Sequence, residues 1–179
     1  MLFKRVNFHF FQCISSQIIS IFRNKFYFMN ITPKRINRFM LFKLPLAYLA
    51  GVRVISITGK TAIVHINHKW MNQNPFQSIF WAAQGMAAEM ATGVLVMRGI
   101  ENIGTKVSML VTNQRGNFTK KATGKIRFEC HHGGLVADAL EESAKTGEGR
   151  VITMKAEGFN TEGISVCNFH FEWSLKVKK

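Results

Sequence analysis

Glu89 is the first acidic residue of the chain, and it stands between Ala88 and Met90 in the apolar run WAAQGMAAEMATGVLVM (81–97). An ionised carboxylate in such surroundings is costly unless it is paired, reaches water or has a chemical task. Desolvation raises a carboxyl pKa, and a carboxylate tuned in this way can accept a proton near neutral pH as a general base. Three readings of Glu89 therefore stand side by side. It is a base or nucleophile, or half of an ion pair with a Lys or Arg, or a side chain that reaches water at a groove.

Just upstream, NQNPFQS (72–78) gathers Asn72, Asn74 and Ser78 around Pro75. The first N–H groups of a helix have no intrahelical acceptor and can hold a developing oxyanion. Backbone donors near Gln77 and Ser78 are the candidates here. Asn74 reads either as a plain N-cap or as a residue that positions substrate or water. At about 100° per residue, the helix face of Glu89 carries Ser78, Ala82, Gly85, Met86, Thr92 and Gly93. These are mostly small, which leaves room for a ligand or for a close partner.

The surrounding pattern must supply elements that hold these groups. Thr32-Pro33 starts a helix to about Phe42, which Pro45 ends or kinks. VRVISIT (52–58) and TAIVHIN (61–67) form a hairpin around Gly59-Lys60. The stretch from about Phe76 to Met97 is one long helix, with Arg98-Gly99 as its stop. KVSMLVTN (106–113) and FTKKATGKIRFEC (118–130) read as strands joined by a turn at 114–117. A short amphipathic helix spans 135–147. Strands at 150–159 and 164–177 form a second hairpin around 160–163. In the last of them Cys167, Phe169, Phe171, Trp173 and Leu175 alternate with polar residues, so one face is buried. The class is α+β, with a mostly antiparallel sheet curling around one apolar helix.

With 179 residues, 47% of them hydrophobic and 19% charged, the chain suits a single domain with a sizeable core. Three scattered cysteines, Cys13, Cys130 and Cys167, form no CxxC, which fits a reducing, cytoplasmic setting. No metal site is expected. Cys130-His131-His132 lacks ligand spacing, and His65 and His68 point to opposite faces of a strand. The net charge of +14 favours anionic partners. A recognition helix, a single-strand-binding motif and zinc-finger spacing are all missing, so charge alone does not imply nucleic acid.

Residues 1–28 differ from the rest: they are basic, acid-free and rich in Phe. They are too polar and too short for a stable membrane span, and they lack a small-residue cleavage site. They read as an amphipathic membrane-surface segment or as translated sequence upstream of a natural start at Met29, with the domain at 29–179. Without them the chain still carries 20 basic against 10 acidic residues.

Over roughly 33–177, NQNPFQSIFWAAQGMAAEMATG (72–93) and the strand–helix–strand order resemble the hotdog-fold thioesterase superfamily, closest to a thioesterase-like domain of unknown function. The resemblance implies a curved antiparallel sheet wrapped around a long central helix, in homodimers or dimers of dimers whose sites lie between protomers. It implies that Glu89 acts as base or nucleophile on an acyl-CoA or acyl-carrier thioester. Ser78-Ile79 matches the helix start of such enzymes, while their His position is Phe80 here and neighbouring Gly positions are Gln77 and Trp81. No cofactor is implied. Arg115, Lys120 and Lys121 read either as a rim for the phosphates of CoA or as a solvated strand edge. Two rival readings remain: a non-catalytic acyl-thioester binder, and a basic nucleic-acid-binding protein.

Overall fold

The structure, a computed structural model, describes residues 30–178. The 1–28 segment, the start at Met29 and Cys13 lie outside the described residues. Thr32 caps helix α1 (Pro33–Lys43), its hydroxyl accepting the Arg35 N–H at 3.4 Å. Pro45 does interrupt α1, and it also opens a second short helix, α2 (Pro45–Leu49). Strands β1 (Arg53–Ile57) and β2 (Ala62–Asn67) form the expected hairpin, closed by Thr58 Oγ1 accepting from Lys60 N and Thr61 N. A 3-10 turn (Trp70–Asn72) leads to the long helix α3 (Trp81–Ile103). Strand β3 (Val107–Phe118), β4 (Lys125–Cys130), helix α4 (Gly133–Thr146), β5 (Arg150–Phe159) and β6 (Ser165–Val177) complete the chain.

The six strands form one antiparallel sheet in the order β1-β2-β4-β5-β6-β3. Its inner face packs on α3, where Ala87, Ala88, Ala91, Val94 and Val96 are fully buried. Along β6 the alternation holds: Cys167, Phe169, Phe171, Trp173 and Leu175 face the helix and are buried. Burying one large side chain of this kind contributes roughly 1.5–3 kcal/mol.

Those rings lie against the small residues of α3. A Cβ at Gly85 would sit 3.7 Å from Phe169, and one at Gly93 would sit 3.5 Å from Trp173. Between them the Trp173 Nε1–H donates to Thr92 Oγ1 at 3.0 Å, and that hydroxyl donates to the Glu89 carbonyl at 3.0 Å. At Gly85 and Gly93, then, the space is taken by the sheet and not by a ligand.

Three expected boundaries move. Arg98-Gly99 does not stop α3: Gly99 lies in the helix, where a Cβ would meet Val136 Cγ1 at 2.7 Å, so its glycine lets α4 pack closely. The stop is Gly104, at φ +68. No turn occurs at 114–117, because β3 runs unbroken along β6 with Gly116 opposite Phe169. A Cβ at Gly116 would meet that ring at 2.8 Å, so this glycine accommodates an aromatic side chain and makes no turn. In consequence β3 and β4 are not paired. Strand β4 begins only at Lys125 and lies between β2 and β5.

The two sheet edges differ. At β1, Asn37 of α1 acts as a substitute strand: its side chain accepts from Val54 N at 2.9 Å and donates to Val54 O at 2.8 Å. At β3 no described element covers the outer edge, and Leu110 and Phe118 are 64% and 49% exposed. Among the described residues no helix is long and apolar enough to cross a membrane.

The Trp173–Thr92 link yields a test. Thr92→Val keeps the shape but leaves a buried indole N–H unpaired, and should cost about 1–3 kcal/mol in chemical denaturation. Thr92→Ser, which keeps the hydroxyl, should recover most of that loss. A loss in Thr92→Ser with none in Thr92→Val would mean that the methyl group, and not the hydrogen bond, matters.

Candidate active site

The loop before α3 is held by its own amides. Asn74 is not the N-cap of α3. Its Oδ1 accepts from Phe76 N at 2.9 Å and Ser78 N at 3.1 Å, and its Nδ2 donates to Ser78 Oγ at 3.0 Å. The Gln77 N–H donates to the Asn74 carbonyl at 3.0 Å. Gln77 sits at φ +57, a left-handed conformation that glycine adopts without strain. That explains why a glycine would suit this position in similar chains. Buried Asn72 anchors the loop, donating to Ala50 O and Asn67 O at 2.8 Å each and accepting from Lys69 N.

The expected oxyanion donors near Gln77 and Ser78 are thus already committed to Asn74. The helix begins later than Phe76, because Ile79 N–H donates to Ala122 O at 2.8 Å and Phe80 N–H to Asn72 O at 2.7 Å. Phe80 is the N-cap and supplies no side-chain acceptor. The N–H groups of Trp81, Ala82 and Ala83 have no acceptor among the described residues. They are the donors on which an oxyanion can rest, three residues further along than the sequence suggested.

Gln84 is a buried polar residue at the helix start that the pattern did not reveal. It is 5% exposed, and its Nε2 donates to Ile79 O at 2.7 Å. That carbonyl stands at the i−4 position for the Ala83 N–H, which makes no bond to it. The only sequence signal was a polar amide in an apolar helix.

Glu89 opens to solvent in the single chain. Even so, crowding by surrounding protein withdraws enough water to push its carboxyl above the ordinary value, and burial is the only cause. Among the described residues no cation or hydrogen-bond donor pairs with it. The ion-pair reading therefore finds no partner among the described residues. Met86 and Met90 flank Glu89 and are half-buried.

The basic candidates separate. Lys121 Nζ lies 3.5 Å from Phe76 O, which places it against the site loop, and Lys120 is its exposed neighbour. Arg115 lies on β3 opposite His170, on the outer face of the sheet, away from the helix. Together with burial and Lys155, it holds the His170 imidazole below its ordinary value. His131 pairs with Glu129 at 3.2 Å, and His132 Nδ1 accepts the Lys155 N–H at 3.1 Å. Both have structural work. Burial pushes the Cys130 thiol up to about 11 and the Cys167 thiol to about 12, so neither is a ready nucleophile.

Solved structures share this architecture. A protein of unknown function from Chlorobaculum tepidum superposes with a TM-score of 0.69 at 21% identity, covering 83% of this chain and 98% of its own. A protein of unknown function from Pseudomonas aeruginosa, named a probable thioesterase, gives 0.68 at 16% identity, covering 82% and 97%. A thioesterase from Haemophilus influenzae gives 0.62 at 10% identity, covering 84% and 94%. No functionally curated protein matches the chain by sequence. At these identities the likeness establishes the hotdog fold alone. Residues 32–175 match the family described as Domain of unknown function (DUF4442), and the chain belongs to that family.

Proposed function

We propose that the protein hydrolyses an acyl thioester, carried by CoA or by an acyl-carrier protein, at a site shared between two copies of the chain. The observation that carries this reading is the Glu89 carboxylate, open to solvent and without a partner among the described residues yet raised in pKa by crowding protein, on the same helix as three free N-terminal amides. The hotdog-fold neighbours that bear the name thioesterase support it.

The chemistry follows from the two groups. Amides at Trp81–Ala83 hold the thioester carbonyl oxygen as it gains charge. Glu89 takes a proton from water, whose oxygen adds to the acyl carbon. The C–S bond then breaks, and the proton passes from Glu89 to the departing thiolate. Direct attack by the carboxylate, followed by hydrolysis of the resulting anhydride, gives the same products. Lys120 and Lys121 beside the loop are placed to meet carrier phosphates, whereas Arg115 would serve only from a different copy.

Separation argues for two copies. At about 1.5 Å of rise per residue, Glu89 lies about 9 Å along the axis from Ala83. A carbonyl resting on the first-turn amides lies further out still, beyond the reach of the Glu89 side chain. A two-fold partner can bring its own Glu89 to that carbonyl. The uncovered edge of β3 is where a second sheet would join, since the β1 edge is already satisfied by Asn37. Phe80, at the position where similar thioesterases carry His, favours a second reading in which the site binds acyl thioesters without turnover. Free-thiol release across an acyl-CoA panel separates the two.

Glu89→Gln should lower turnover by roughly 10²–10⁴-fold while acyl-CoA binding persists; unchanged turnover in the folded variant would remove Glu89 from the mechanism. The same variant has a pH signature. A raised pKa means that the folded chain holds this proton more tightly than the unfolded chain, so the carboxylate lowers stability as pH rises from the ordinary carboxylate range through the raised value. The Gln variant should therefore match wild type at acid pH and equal or exceed it at neutral pH. A neutral-pH loss of about 3–5 kcal/mol would instead indicate a stranded ion-pair partner. Light scattering should report a dimer at micromolar concentration, and a monomer would contradict a shared site.

A further inference from the structure

Residues 41–46, Leu-Phe-Lys-Leu-Pro-Leu, are exposed without interruption. Phe42 and Leu46 are each 72% exposed, and Leu49, one turn on, is 54% exposed. The inward side of the same two helices is held by Ile36, Met40 and Ala47, so the core does not need these outer side chains. Pro45 breaks the helix between them, so the two helices meet at a corner.

A second apolar segment lies beside it. The Asn72 Nδ2 bond to Ala50 O ties the 3-10 turn to the end of α2. That puts Trp70, 85% exposed, and Met71, 59% exposed, next to the corner. Lys43 and Lys69 stand among these side chains. A Cβ on Gly51 would sit 3.8 Å from Lys69 Nζ. Arg53 adds a third cation, stacked on Tyr48 at 3.6 Å. Every acidic residue of the chain lies at position 89 or later.

From this combination we infer that the α1–α2 corner and the Trp70–Met71 turn form a docking surface for an anionic membrane. Contiguous exposed apolar side chains of this size mark an interaction surface. Tryptophan with Phe and Leu suits the headgroup–acyl boundary, where an amphipathic surface lies in the membrane plane without crossing it. Charge chooses an anionic bilayer over a second copy of this surface: the three charged side chains named here, Lys43, Lys69 and Arg53, are all cations. A second copy of the same surface would set lysine against lysine. Anionic headgroups instead favour each nearby Lys by roughly fivefold in binding. The inference is independent of the reading at Glu89.

Co-flotation of the full chain with vesicles of phosphatidylcholine, with and without phosphatidylserine, tests it. Binding should require phosphatidylserine and fall with added salt. The Phe42→Ser, Leu46→Ser double variant should bind roughly tenfold less or weaker, with melting temperature and oligomeric size unchanged; Trp70→Ser should weaken binding in the same direction. Absence of binding to phosphatidylserine vesicles would overturn the proposal. So would binding undiminished in the double variant, which would place it elsewhere in the chain. A change of oligomeric size in that variant would show the surface to be a contact between copies, and would equally overturn it.

Discussion

The site depends on how the central helix is fixed against the sheet, and one short relay does most of this. The Trp173 indole donates to the Thr92 hydroxyl, which donates in turn to the Glu89 carbonyl. A helix packed only by apolar contacts can rotate or slide with little penalty, because the hydrophobic effect is not directional. A buried indole N–H is directional, and leaving it unpaired costs about 1–3 kcal/mol. The relay therefore sets the rotation of α3 at the residue that carries the carboxylate. Gly85 and Gly93, one turn or more to either side, receive the rings of Phe169 and Trp173 and so fix its height.

Glycine in a helix is normally a weakness, at about 1 kcal/mol each relative to Ala. With Gly99, which admits Val136 and Leu140, α3 carries three of them. At Gly99 the missing Cβ lets Val136 and Leu140 bury themselves against the helix, a gain of roughly 1.5–3 kcal/mol per side chain, whereas a Cβ at Gly85 or Gly93 would make only ordinary contact. Packing thus outweighs propensity. At the helix start the same balance runs in polar terms. From residue 72 to 80 every backbone N–H finds an acceptor, and the Trp81, Ala82 and Ala83 amides that follow have none among the described residues.

Much of this was legible in the sequence wherever period and burial agree. The β6 alternation, the 52–67 hairpin and the apolar central helix all follow from local pattern. What was not legible came from long-range contact. A glycine reads as a turn or stop in isolation, yet Gly116 and Gly99 are there to admit Phe169, Val136 and Leu140, residues 35 or more positions away in sequence. Asn74 reads as a cap, but Ala122 and Asn72 capture the backbone of residues 79–80 and delay the helix. For that reason the acid stands out from its apolar setting, whereas the N–H groups without acceptors lie at Trp81–Ala83 and those of Gln77 and Ser78 are taken by Asn74. Arg115 was grouped with Lys120 and Lys121 by proximity in the chain, and strand register turns it to the opposite face of the sheet.

The central claim is that one chain supplies the carboxylate and the other the amides. It is tested most directly by complementation. Trp81→Pro removes one first-turn donor at a position where proline is tolerated, since Phe80 before it already has φ −58 and ψ 138. Co-expressed with Glu89→Gln, it forms mixed dimers in which one of the two shared sites is intact. Thioester turnover should then recover to roughly a quarter of wild type by random pairing, although each variant alone is impaired. No recovery, with mixed dimers shown to form, would place both groups of each site in a single chain and contradict the account.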